Sequence, residues 1–363
     1  MRKLWIALGL AVLLAGSALA GDILQEEAEI LGADRLAEAV PEDAEDALDG
    51  VSPLEQADFG RTVKKILSGV LQNAGRWARQ AARSCAMLLA AALLGGAAQM
   101  SGGTAQTAAR MASCLAMAAV CTSSLNGMIA LAKDAIDAIG NFSALLLPVL
   151  SSALAASGGT SSGGALYAGS TLLISLLTSL IRSFFIPCVY CYLFLTTARY
   201  AIGDERLSPL QEGCGWVISA ALKGTAGLFT AYLTLTGLLA GSADEMALKA
   251  AKGMISTAVP VVGSILSDAS DAILTSAGLI KNAAGAFGLL AVLATGAAPF
   301  FHLAVQYLAL RATAAIGGFV AQREQAGMLR GAATAMGQML AMTGCAILMA
   351  LVAICCFIKA VNG

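Results

Sequence analysis

Apolar residues in this chain come in long runs divided by short polar gaps, the pattern of a chain that crosses a membrane several times. Eight runs are candidate spans: Ser84–Met100, Met111–Ala132, Phe142–Ala156, Ala165–Ile181, Ser183–Ala198, Gly224–Gly241, Ala286–Leu310 and Thr334–Ile358. Three of them are short for a bilayer. The pattern therefore predicts an all-α, polytopic integral membrane helical bundle of about seven to eight spans, occupying residues 84–363.

Before that body the pattern changes three times. In residues 61–83, Val63, Ile66, Leu67, Val70, Leu71, Ala74 and Trp77 recur at helical spacing among six basic residues and no acid. This predicts an amphipathic helix lying on the membrane surface, its cations near anionic headgroups and Trp77 at the boundary. Residues 21–60 are alanine-rich, with prolines at 41 and 53 and thirteen acidic residues against Arg35 alone. Such a segment buries little apolar surface and reads as a mobile or loosely helical exported tail, partly disordered. Residues 1–20 begin with the positive "MRK", continue with the short apolar "LWIALGLAVLLAG" and end in "SALA". This is the layout of a secretory signal peptide, with Ala18 and Ala20 as the small residues before the cleavage point. An uncleaved anchor is the other reading, and both place the acidic segment outside the cytoplasm.

Composition supports the membrane class. The chain has 363 residues, of which 58% are hydrophobic and only 12% charged, about half the charge of an ordinary soluble domain. Formal net charge is −1, and no basic stripe with interleaved aromatics suggests nucleic acid. With the first loop outside, Arg110, Arg199, Arg206, Arg311, Arg323 and Arg330 fall on the cytoplasmic side. Lys133, Lys249, Lys252, Lys281 and Lys359 fall outside, so the positive-inside rule agrees weakly and orientation rests on the signal sequence. All nine cysteines lie beyond residue 84, which excludes a disulfide framework in the exported tail. "CVYC", Cys188–Cys191, has redox spacing but apolar flanks, where cysteine behaves as a small hydrophobe.

Two polar features interrupt the apolar body. Ser264, Asp268, Asp271, Thr275, Gly278 and Asn282 succeed one another at steps of four, three, four, three and four. On a helix over 260–282 they form one stripe. An ionised aspartate facing lipid costs about 2.5 kcal/mol or more at mid-bilayer. The stripe therefore faces water, as a helix outside the bilayer or as a channel-lining or partner-contacting helix. The second feature is "LAASGGTSSGGALY", where Ser157, Gly158, Gly159, Gly163 and Gly164 join two short apolar halves. It reads either as a re-entrant loop around a polar cavity or as an ordinary hairpin.

Catalytic chemistry is thinly supplied. His302 is the single histidine, which excludes a multi-histidine metal site, and no H-E-x-x-H, Walker A or dinucleotide-binding glycine motif occurs. No spacing supports His302 and Ser157 as parts of a hydrolase, and His302 reads as a polar residue at a helix contact. "IGD", Ile202–Asp204, matches part of an intramembrane aspartyl-protease motif, but no partner aspartate sits in a matching span. The chain is not expected to be an enzyme, and no cofactor or metal is expected.

Two segments carry a resemblance: "NFSALLLPVLSSALAASGG", Asn141–Gly159, and "AVPVVGSILSDASDAILTSAGLIKNAAGAFG", Ala258–Gly288. With the signal sequence and polytopic body, they resemble the stage III sporulation protein AE family from about Cys85 to the C-terminus. The resemblance implies a multi-pass protein in the mother-cell membrane around the engulfed forespore, with an extracytoplasmic N-terminal segment. It implies a role as channel or scaffold in a secretion-like complex needed for endospore development. The implied partners are the other products of the same stage III operon, including ring-forming and ATPase subunits, the forespore-side stage II sporulation protein Q, and membrane lipid. The competing reading is a free-standing secondary transporter or permease with the glycine-rich break as its substrate site.

Overall fold

The computed structural model describes residues 36, 40, 41, 44, 45, 48, 59–99, 104–157, 160–232 and 263–359; for 97–99, 104–106, 160–163, 263–281 and 320 it describes the backbone alone. Among these residues there is no strand. The chain order is α1 (Phe59–Gln99), α2 (Thr104–Ala156), α3 (Thr160–Leu180), a π-helical turn (Ile181–Phe185), α4 (Ile186–Ile202), a 3-10 turn (Glu205–Leu207), α5 (208–232), α6 (Gly263–Val320) and α7 (Arg323–Lys359).

Alanine and leucine dominate these elements, and the gaps from Met111–Ala132 to Phe142–Ala156 and from Ala165–Ile181 to Ser183–Ala198 hold no residue that must end a helix. That is why runs expected as separate spans are continuous. Met111–Ala132 and Phe142–Ala156 both lie on α2, which runs through Lys133, Asp134 and Asp137 without a break. Ala165–Ile181 and Ser183–Ala198 join through the π-helical turn. Pro187 sits just after that turn. It has no N–H to give and its ring crowds the preceding carbonyls, which a locally widened helix accommodates. Among the described residues four helices are long and apolar enough to cross a membrane, within Thr107–Ala156, Gly164–Ile202, Asn282–Phe319 and Arg323–Lys359. Likewise α1 is a single helix where a surface helix over 61–83 and a span from Ser84 were expected.

The helices end where local chemistry stops them. Gly203, at φ 79°, caps α4 by donating its N–H to the Arg199 carbonyl at 2.9 Å, a left-handed conformation that glycine adopts without penalty. Asp204 then accepts from the Arg206 N–H at 2.9 Å and opens the 3-10 turn. Between α6 and α7, the Gln322 N–H donates to Oε1 of Gln325 at 3.1 Å, the reciprocal arrangement of a capping box.

α2, α6 and α7 contact one another and form the centre. α1 lies against α2 and α6, while α3 and α4 lie against α2 and α7. Small residues let the central three approach closely, as helices in lipid require. A Cβ on Gly285 would stand 2.6 Å from Ile358, one on Gly296 2.7 Å from Ile347, and one on Gly288 would overlap Leu146. Four residues of the acidic segment, Leu36, Val40, Ala44 and Leu48, are buried in the same apolar cluster. These four follow one another at steps of four, a helical spacing within the acidic segment.

At 1.5 Å per residue α2 is about 80 Å long and α6 about 87 Å, against a hydrocarbon core of roughly 30 Å. A continuous helix cannot double back, so a bundle built on these helices is longer than one bilayer is thick.

Candidate functional site

One end of the bundle gathers α2, α4, the 3-10 turn and α7 around a cavity of about 100 Å³ lined by Arg110, Arg199, Tyr200, Gly203, Glu205, Arg323 and Glu324. Arg199 donates from Nε and Nη2 to Oε2 of Glu205 at 3.2 and 2.6 Å, and from Nη1 to Oε1 of Gln211 at 3.1 Å. The Gln211 amide in turn donates to Oγ1 of Thr196 at 2.9 Å. Arg323 reaches the other Glu205 oxygen at 3.8 Å. Arg110 donates to the Ile202 carbonyl at 3.0 Å, and its Nε has no hydrogen-bond partner among the described residues. Guanidiniums compensated by carboxylates in this way bind and anchor polar groups. Four of the arginines assigned to the cytoplasmic side, Arg110, Arg199, Arg206 and Arg323, thus share one end.

A second polar level lies midway along α2. Arg182, in the π-helical turn, donates from Nε to Oδ1 of Asp137 at 2.6 Å, and its Nη2 stands 2.5 Å from the same oxygen. Nearer the arginine end, the Tyr190 hydroxyl donates to Oδ1 of Asn126 at 2.9 Å, and the Gln306 amide donates to Oγ of Ser124 at 3.2 Å. His302 stacks on Trp77 with ring centroids 5.1 Å apart, so it does sit at a helix contact, between α6 and α1. Among the described residues its Nε2 has no hydrogen-bond partner. Trp77 therefore covers a neighbouring helix in addition to any boundary role.

The residues singled out from sequence fall in different places. Ser264, Asp268, Asp271, Thr275 and Gly278 all lie on the backbone of α6, so one helix carries the whole stripe. Their side chains are outside the described residues. Asn282 is described: Oδ1 is buried and has no hydrogen-bond partner among the described residues. Ser157 is buried and donates from Oγ to the Leu154 carbonyl at 2.9 Å, in a short turn between α2 and α3. Gly158 and Gly159 lie outside the described residues, and Gly163 and Gly164 belong to the first turns of α3. Ala18 and Ala20 also lie outside them. Ile202–Asp204 is a helix cap and turn start, which accounts for its residues structurally. The Arg199–Glu205–Gln211 network was not singled out from sequence, although "ARYAIGDERL" announces a turn with charges on both sides.

Comparison with known proteins adds identity to this geometry. The curated stage III sporulation protein AE of Bacillus subtilis (strain 168) is 24% identical over 177 residues, covering 49% of this chain and 44% of that relative. The matched stretch thus spans less than half of the relative's length. No solved structure matches the chain. The family model described as stage III sporulation protein AE matches residues 50–361, nearly the whole helical body and the end of the acidic segment. By that extent of match, the chain belongs to the stage III sporulation protein AE family.

Proposed function

We propose that this chain is a membrane subunit of the mother-cell-to-forespore channel, working as channel or scaffold rather than as an enzyme. The carrying observation is the family match over residues 50–361. Four apolar helices suit a multi-pass protein of the mother-cell membrane. In this reading the arginine end faces the mother-cell cytoplasm, where a secretion-type ATPase acts. The opposite end stands in the intermembrane space, where ring-forming subunits and stage II sporulation protein Q would meet it. The surplus length of α2 and α6 over a bilayer supplies the reach, and the acidic N-terminal segment is extracytoplasmic. The stripe from Ser264 to Asn282 lies on the α6 half remote from the arginine end, so Asp268 and Asp271 line the conduit or meet a partner there.

The test is deletion in the source organism, complemented by wild type or by Asp268→Asn with Asp271→Asn. Readouts are a late forespore-specific reporter and forespore size after engulfment. Deletion is expected to stall the engulfed forespore, and the double variant, present at normal level, is expected not to rescue it. A normal reporter and forespore after deletion would refute the channel reading and favour a free-standing permease. Full rescue by the double variant would remove the role of the aspartates.

A further inference from the structure

The flank of the bundle carries a groove of about 690 Å³ between α5 and the α6–α7 pair. Its α5 wall is Leu222, Lys223, Ala226 and Phe229, which share one helical face by their spacing. Phe300 and Tyr307 of α6 form its floor. They fit because Gly344 and Gly337 stand opposite, where a Cβ would come within 3.1 Å and 3.0 Å of the two rings. Ala341, Leu348 and Val352 line the α7 side, and Leu348 is 62% exposed. From Gly337 to Val352 the α7 wall runs over sixteen residues, about 22 Å of helix axis. That exceeds the depth of one leaflet, half of a roughly 30 Å hydrocarbon core. The volume falls within the roughly 300–1,000 Å³ range of binding sites that enclose a small molecule.

Lys223 is the only charged residue in this lining among the described residues. It is exposed, and among the described residues its ammonium meets no carboxylate. The other two helices of the groove are candidate spans; where they cross a bilayer, this cation stands beside hydrocarbon with no partner among the described residues. An intramembrane cation in that position is costly unless something pairs with it. A long apolar trough with one cation in its wall matches an amphiphile whose acyl chain fills the trough and whose anionic head reaches the ammonium. Basic pockets between membrane helices bind anionic lipid headgroups in this manner.

We propose that the groove between α5, α6 and α7 is a binding site for one anionic phospholipid, its acyl chain along Ala341 and Leu348 over the Phe300–Tyr307 floor and its phosphate on Lys223. Lipid binding here does not depend on the channel reading, since it rests on the groove and on Lys223.

The test uses the full chain in nanodiscs and in detergent, with phosphatidylglycerol and phosphatidylcholine as probes. Bound lipid is counted by native mass spectrometry after graded delipidation. Wild type is expected to keep one phosphatidylglycerol and to prefer it over phosphatidylcholine. Lys223→Gln should weaken phosphatidylglycerol binding about five- to tenfold while leaving phosphatidylcholine unchanged, and Lys223→Arg should restore the preference. Ala341→Trp should displace both lipids; if that variant is not monodisperse, Ala341→Leu serves the same purpose with less bulk. Equal retention of the two lipids by wild type, or retention by the groove-filling variants at the wild-type level, would overturn the proposal. So would Ala341→Cys, in a chain whose nine native cysteines are replaced by serine or alanine, if equally protected from maleimide in lipid-free detergent and in phosphatidylglycerol nanodiscs, because protein would then be the cover.

Discussion

The Asp137–Arg182 pair reports where the bilayer lies along this long bundle. Asp137 is 27 residues beyond Arg110 on the same helix (137 − 110), which is about 40 Å of helix axis. If the arginine end sits at one face of a roughly 30 Å hydrocarbon core, the pair stands past the opposite face, among headgroups or water. Arg182 is 48% exposed and Asp137 19% exposed, so the guanidinium borders whatever medium surrounds the bundle at this level. A solvent-exposed pair contributes about 0.2–1 kcal/mol. In hydrocarbon, an arginine that lost its partner would cost about 2.5–3.5 kcal/mol. A double-mutant cycle of Asp137→Asn and Arg182→Gln, followed by unfolding in bicelles, separates the two cases. The expected coupling is below about 1 kcal/mol at 0.15 M salt, and it should shrink at 1 M as the screening length falls from about 8 to 3 Å. A coupling of about 2 kcal/mol or more that resists salt would put the pair inside the hydrocarbon and refute this placement.

Other substitutions test the packing directly. Gly288→Val places a methyl group into Leu146 and should lower stability by about 1–3 kcal/mol. Gly75→Ala, on a helix face with nothing within 4 Å, should raise it by about 0.5–1 kcal/mol; thermal unfolding in detergent reads both. Gln325→Leu removes the bonds to the Gln322 N–H and to Oγ of Ser113 from a fully buried position. It should cost about 1–3 kcal/mol and raise proteolysis at the α6–α7 turn, whereas unchanged cleavage there would deny that turn its capping role.

The features legible in the chain alone are those governed by local physics. Long apolar runs require helices in lipid, because every backbone polar group must be satisfied within its own segment. The all-helical class is therefore legible from hydropathy, and the family from "NFSALLLPVLSSALAASGG" and the Asp268–Asp271 segment. The number of spans was not legible. Hydropathy scores the transfer of side chains and is blind to whether a polar gap ends the helix. Lys133, Asp134 and Asp137 lower the score of α2 without removing a single backbone hydrogen bond. By contrast, glycine at 203 announces a real stop, because it alone takes the left-handed cap freely.

Sequence by itself determined the all-helical class with its long apolar runs, the family, the charged character of the arginine-bearing turns and the three-four spacing of the stripe. Each depends on residues close together along the chain. Tertiary structure alone decided which distant residues meet: Arg199 with Glu205 and Gln211, Asp137 with Arg182, Trp77 with His302. It also decided that Lys223, unremarkable in "VISAALKGTAGLF", stands in the wall of a groove closed by helices more than seventy residues away. Such neighbours are chosen by which faces pack, and packing is a property of the assembled helices rather than of any one stretch of sequence.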